Sequence, residues 1–131
     1  MPSIADELAA RVRSFSIRVV KFARALRGDS LTEPILRQLV KSATSESANY
    51  HAARRGRTRK EFIAKLGLVL EEADETEHWL FVLDATQGPV GRDLSTELVW
   101  LKDEASQLRR IFFTSLKTAR YNYRKRKKPH E

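Results

Sequence analysis

The residues of this chain that could do chemistry are few and isolated. Glu75 and His78 have the Glu-x-x-His spacing that places two metal ligands on one face of a helix, as in di-iron carboxylate bundles. Such a site needs a second copy of the motif on another helix, and neither His51 nor His130 has a glutamate three positions earlier. We therefore predict no metal site.

Catalytic motifs are missing as well. Serine, histidine and acidic residues all occur, but no nucleophile elbow does, and the five glycines form no phosphate-binding loop. The Arg-spacer-His chemistry of helical ribonucleases would be restricted to Arg124 and His130 near the C-terminus. We expect a protein that is not an enzyme, with no catalytic residues and no cofactor.

Composition indicates one domain, residues 1–131, with a core of ordinary size, since 41% of the residues are hydrophobic. The lack of cysteine excludes disulfides and thiolate metal sites. Asp6 and Glu7 stand where a secretory signal would carry positive charge, and no apolar run approaches the roughly 18 residues that span a bilayer. We expect a cytoplasmic protein that does not enter a membrane.

Apolar residues recur at alternating steps of four and three along three segments, the pattern of helices that pack against other helices. The first series predicts a helix from about Ser3 to Arg27. The second helix begins near Thr32, a candidate cap, and ends at about Arg55. Its second half, residues 42–49, is rich in small side chains, which let helices approach closely.

The third helix is predicted to begin after Thr58, with Glu61 in the capping-box position, and to end at about Thr86. Residues 87–91 are the clearest break in the chain, and the apolar spacing resumes from Leu94 to Ala119. Short connections favour antiparallel neighbours. The predicted fold is all-α, an antiparallel up-down-up-down four-helix bundle.

The net charge of +8 at pH 7 makes polyanions plausible partners. In the predicted topology, the link between helices two and three and the C-terminal end of helix four share one end of the bundle. We predict a nucleic-acid-binding surface there, with Tyr121 or Tyr123 stacking on unpaired bases. Its candidate residues are Arg54, Arg55, Arg57, Arg59, Lys60, Lys117, Arg120, Tyr121, Arg124, Lys125 and Arg126.

Two other interpretations of this charge remain open. The cations could complement the dipoles of the C-terminal ends of helices two and four, with residues from about 124 to 131 forming a disordered basic tail. The surface could instead bind an acidic protein partner.

Several large apolar residues lie off the predicted seams. Trp79, Trp100, Ile111 and Phe113 are candidates for an interface between subunits of a homo-oligomer. The alternative is a core-facing stripe of ordinary width.

Two runs of residues resemble a known family. The Ser-Ala-x-Ser and Asn-Tyr pieces of residues 42–50 and the Glu-Ala-x-Glu-Thr-x-x-Trp-Leu run of residues 72–80 resemble the four-helix-bundle proteins encoded in intervening sequences of bacterial 23S ribosomal RNA genes. The chain departs from that pattern at Glu46, where the family usually has an apolar residue, and at Ala52, where it usually has glutamate. A glutamate at position 46 in a tight interface would need a basic partner.

The resemblance implies an antiparallel four-helix bundle that assembles into a homopentamer. It also brings in the related accessory proteins of diversity-generating retroelements, which bind nucleic acid and a reverse transcriptase through a basic surface. From the residues and the resemblance together we expect a non-enzymatic oligomer that binds RNA or other nucleic acid, or alternatively an adaptor that binds a protein such as a polymerase.

Overall fold

The computed structural model of the chain describes residues 1–26, 29–86 and 91–127. These residues form four α-helices: α1 (Ile4–Leu26), α2 (Thr32–Arg54), α3 (Arg59–Thr86) and α4 (Arg92–Lys127). No strand occurs within the described ranges. The predicted helix boundaries lie within about two residues of these, apart from the end of α4.

The four helices pack in a ring. The backbone of α2 approaches those of α1 and α3, and the backbone of α4 approaches those of α3 and α1. The diagonal pair α2 and α4 meets through core side chains, since the rings of Tyr50 and Phe112 lie 5.2 Å apart. Arg54, at the end of α2, bonds Asp6 at the start of α1, so these neighbours run antiparallel. The arrangement confirms the predicted all-α, antiparallel four-helix bundle.

The parts of the core that α1, α3 and α4 contribute consist largely of the seam residues that the apolar spacing predicts. Val12, Phe15, Val19 and Phe22 of α1 are buried, as are Leu66, Val69, Ala73, Thr76, Leu80 and Leu83 of α3. Ile4, the first seam residue of α1, is instead 84% exposed, since it begins the helix at the edge of the bundle.

Helices α2 and α3 make the most extensive contact of the bundle, and small side chains permit it. Ser42 and Ala43 of α2 and Ala73 of α3 are buried in this contact region. The Thr76 hydroxyl donates to Ser42 Oγ across the two helices at 2.9 Å. The small-residue stretch that begins at residue 42 therefore has the packing role that its composition predicts.

The start of α2 differs from the sequence prediction, and the start of α3 agrees with it. The carboxylate of Asp29, rather than the Thr32 side chain, accepts the first free N–H groups of α2, from Leu31 and Thr32. These bonds lower the pKa of Asp29. At α3 the Thr58 hydroxyl accepts the Glu61 N–H, as predicted, and the Glu61 carboxylate reaches back to the Arg57 N–H.

α4 is the longest helix, with 36 residues and a length of about 54 Å. It continues through Lys127, so residues 124–127 are helical and do not belong to a disordered tail. Four cations occupy its last turn, where the negative end of the helix dipole favours them. Residues 128–131, the rest of the predicted tail, lie outside the described residues.

Within the described ranges, no helix is both long and apolar enough to span a bilayer.

Candidate nucleic-acid interface

The two basic segments predicted from the sequence lie at the same end of the bundle. Residues 54–60 comprise the end of α2, the link and the first turn of α3, and residues 117–127 are the C-terminal part of α4. Together they hold eleven of the 25 lysines and arginines of the chain. We call these eleven side chains the basic end.

The cations of the basic end are almost all free of acidic partners. Arg54 is the exception, because it forms an ion pair with Asp6 and lowers the pKa of that exposed carboxyl to about 2. Among the described residues, the other ten have no carboxylate within ion-pair distance, and all ten are exposed. Acidic residues are missing from α4 after Glu104.

Four cations elsewhere on α1 and α4 form ion pairs that join neighbouring helices. Arg11 bonds both oxygens of Glu104, and Arg18 bonds both oxygens of Glu97, which joins α1 to α4. Arg109 and Lys102 pair with Glu77 and Asp84 respectively, which joins α4 to α3. The positive charge left over after pairing is therefore concentrated at the basic end.

The two tyrosines of the basic end differ in access. Tyr121 is 63% exposed, so one face of its ring can receive a ligand. Tyr123 is half-buried, and the ammonium of Lys127 lies 5.1 Å from its ring centre. Of the two predicted stacking residues, Tyr121 has the geometry for it.

A groove of about 350 Å³ runs between α3 and α4 into the basic end. Its lining contains two aliphatic side chains, Leu70 and Leu116, and two aromatic side chains, Phe113 and Tyr121. Three cations of the basic end, Lys117, Arg120 and Arg124, complete its lining. Phe113 was predicted to lie in a subunit interface, and the groove was not predicted. The signal was present in the i, i+4, i+8 spacing of Phe113, Lys117 and Tyr121, which puts an aromatic, a cation and an aromatic on one helix face.

The four predicted interface residues are in different environments. Trp79 is half-buried against the core, and Ile111 is half-buried on α4. Trp100 is 37% exposed and is covered by the guanidinium of Arg18, 3.4 Å from its ring centre. Phe113 is 53% exposed and borders the groove. Further exposed apolar side chains are Ile17, Leu68, Phe81 and Val99.

The interior of the bundle contains an ionisable side chain, that of Glu46. Glu46 of α2 is 1% exposed, and neither of its carboxylate oxygens has a hydrogen-bond partner among the described residues. Within the described ranges, no lysine or arginine forms an ion pair with Glu46. Burial, followed by the charges of Glu72 and Glu104, raises the pKa of Glu46 to about 8. Thr76 lies close enough to lower this pKa in part, but its hydroxyl bonds Ser42 and the Glu72 carbonyl oxygen.

The Glu-x-x-His pair of α3 lies on the outside of the bundle. Glu75 and His78 are both exposed, and His78 packs against the edge of Trp79. Over residues 1–26, 29–86 and 91–127, no group of three or more His, Cys, Asp or Glu side chains is placed to hold a metal ion.

No protein-family model matches the chain, and no curated protein matches it in sequence. Its structure is similar to the 1.70 Å crystal structure of a protein with unknown function from the S23 ribosomal protein family, from Bacteroides thetaiotaomicron VPI-5482. The TM-score is 0.74 at 25% sequence identity, and the likeness covers 86% of this chain and 97% of that chain. The likeness extends over most of the bundle, and it assigns no activity because the function of that protein is unknown.

Proposed function

We propose that this protein is a non-enzymatic, cytoplasmic four-helix-bundle protein that binds RNA or another nucleic acid through the basic end. The observation that supports this proposal most is the set of ten exposed cations that lie together at one end of the bundle and have no acidic partner among the described residues. Such cations release counterions from a phosphate backbone when they bind it, which favours association at moderate salt.

The first test is binding of the purified protein to a labelled structured RNA and to a matched DNA duplex over a salt series. Phosphate-driven binding should weaken steeply with salt, with a slope of about −0.9 per duplex phosphate contact and about −0.7 per single-strand contact in a double-logarithmic plot. No binding to either nucleic acid at low salt would contradict the proposal.

Charge-removing variants test the location of the surface. The test variant changes four free cations of the basic end to glutamine: Arg57, Arg124, Lys125 and Arg126. The control variant removes the same charge from four exposed positions outside the basic end that form no ion pair among the described residues: Arg13, Lys21, Arg24 and Arg92. We expect the test variant to lower the salt slope by up to about 3 and the control variant to change it little. Equal losses would show that net charge, not the basic end, drives binding.

We also propose that the protein is a relative of the proteins encoded in 23S ribosomal RNA intervening sequences and that it forms a homo-oligomer, a pentamer by that resemblance. Support comes from the likeness to a structure of the S23 ribosomal protein family and from exposed apolar side chains such as Ile17, Leu68 and Val99. Light scattering at micromolar concentration measures the mass, and the mass of one subunit, 15.1 kDa, would contradict the oligomer.

A second candidate function is that of an adaptor that binds a protein. One observation favours it: a groove of about 550 Å³ between α1 and α2 is lined mainly by apolar side chains, including Val20, Ala23, Leu36 and Val40. Arg24 and Arg37 stand at its rim. A packed protein interface responds to salt much less than phosphate contacts do, so the same salt series separates the two functions.

A further inference from the structure

The groove between α3 and α4 combines exposed aromatic rings with exposed cations. Phe113 and Tyr121 offer ring surface to solvent, with 53% and 63% of each residue exposed. Lys117, Arg120 and Arg124 lie in the same groove, and none of them has an ion-pair partner among the described residues. No acidic side chain contributes to the lining.

The spacing of these groups follows from the helix. Phe113 and Tyr121 are eight residues apart on α4, which corresponds to about 12 Å along the helix axis. Lys117 lies midway between them, and Arg120 and Arg124 continue the same face toward the C-terminus. On one face of α4, two aromatic rings are therefore separated and followed by cations. This order matches a polymer in which flat rings and phosphates alternate.

We propose that this groove seats unpaired bases of a single-stranded nucleic acid, with Phe113 and Tyr121 stacking on bases and the three cations holding the phosphates between and beside them. A duplex keeps its bases stacked inside and presents phosphates alone, so it would use the cations and leave the rings without a partner. A single strand can turn its bases outward onto aromatic side chains. The groove thus makes the basic end selective for single strands.

This inference rests on the proposed function, because it assigns a strand type to the surface that binds nucleic acid. Selectivity for single strands requires the two aromatic rings, whereas the proposed function requires only the cations. Charge alone explains binding of any polyanion, whereas the two rings matter for unpaired bases and not for duplexes.

The test measures the affinity of a labelled single-stranded RNA and of an RNA duplex of equal length for four proteins: the unchanged chain, Phe113→Ala, Tyr121→Ala and the control Phe81→Ala. Phe81 is 65% exposed and lies in another groove between α3 and α4, where Asp74 and Glu77 accompany a single lysine, Lys102, in place of the three cations beside Phe113 and Tyr121. The rings of Phe113 and Tyr121 are both exposed, so neither change should disturb the fold. Tyr121→Phe retains a ring for stacking.

We expect Phe113→Ala and Tyr121→Ala each to weaken single-strand binding about tenfold and duplex binding by less than about twofold. Phe81→Ala should change neither affinity, and Tyr121→Phe should bind single strands like the unchanged chain. Equal losses for single strands and duplexes, or no loss for either, would overturn the inference while leaving nucleic-acid binding by the basic end intact. A lower oligomer mass in Phe113→Ala with unchanged affinity would also overturn it, by placing Phe113 in a subunit interface. If the unchanged chain binds neither RNA, the proposed function fails as well.

Discussion

The interior carboxylate of Glu46 should make this protein less stable as the pH rises through neutrality. The side chain is 1% exposed and has no hydrogen-bond partner for either oxygen among the described residues. Acidic groups face it from two neighbouring helices, Glu72 from α3 and Glu104 from α4, and the Glu104 charge is shared with Arg11 of α1. This environment favours the neutral acid, so folded Glu46 retains its proton at pH values where the unfolded chain has lost it.

The magnitude follows from the two pKa values. The pKa of Glu46 rises from an ordinary 4.5 to about 8 on folding, and each pKa unit corresponds to about 1.4 kcal/mol. Between these values the folded state binds one proton more than the unfolded state, so the free energy of unfolding falls as pH rises. The contribution is fully present below pH 4.5 and is lost by pH 8. The loss is roughly 3 kcal/mol at pH 7 and roughly 5 kcal/mol in total.

Replacement of the ionisable group measures this effect directly. Glu46→Gln cannot titrate, so its free energy of unfolding should exceed that of the unchanged chain by an amount that grows between pH 4.5 and 8. Glu46→Leu should be more stable still, by about 1–3 kcal/mol, because it also removes unpaired polar atoms from the core. Urea unfolding followed by far-UV circular dichroism at several pH values gives both quantities.

The control for this experiment is a change at an exposed glutamate of α3. Glu71→Gln changes an exposed glutamate of the neighbouring helix, so its difference from the unchanged chain should not grow over the same pH range. The reasoning is refuted if the difference between Glu46→Gln and the unchanged chain is constant with pH. That result would mean that Glu46 is ionised in the fold and holds a cationic partner.

The remaining predictions concern single contacts, and urea unfolding measures each of them. Asp29→Ala removes the acceptor for the Leu31 and Thr32 N–H groups at the start of α2 and should lower the midpoint of urea unfolding; no change would mean that solvent replaces this cap. Arg11→Met leaves buried Glu104 without its partner and should lower stability by about 3 kcal/mol, and adding Glu104→Leu should restore most of the loss. Arg59→Gln and Lys60→Gln remove cations from the positive end of the α3 dipole and should each raise stability by about 0.5 kcal/mol at low salt. Salt-independent effects would contradict an electrostatic origin.

The architecture was predictable because the apolar period is regular along α1, α3 and α4 and because start and stop signals mark the two ends of α2. Leu66, Ala73 and Leu80 of α3, for example, are buried as their spacing requires. The same period also places Glu46 in the core, between Ala43 and Tyr50, but a pattern of apolar residues does not reveal a buried acid. The cap of α2 was assigned to Thr32 because the choice between Thr32 and Asp29 depends on backbone geometry, which composition does not specify.

The candidate interface was predictable in part. Topology alone brings residues 54–60 and 117–127 to one end, since adjacent helices run antiparallel. Which cations lack an acidic partner depends on side-chain pairing between helices, and the sequence does not predict this pairing. Arg54 pairs with Asp6, whereas Arg55 has no ion-pair partner among the described residues. The groove at Phe113 was missed because its lining includes Leu70 of a different helix.

The helix dipole explains some of the cations at the basic end but not all of them. Its effect is confined to the first and last turns, where it favours cations at C-terminal ends and opposes them at N-terminal ends. It therefore accounts for the four cations in the last turn of α4, but not for Lys117 or Arg120, which lie earlier in that helix. Arg59 and Lys60 lie in the first turn of α3, where the dipole opposes them. Cations in positions that bring no benefit to the fold are more consistent with a ligand that requires positive charge than with a purely structural role.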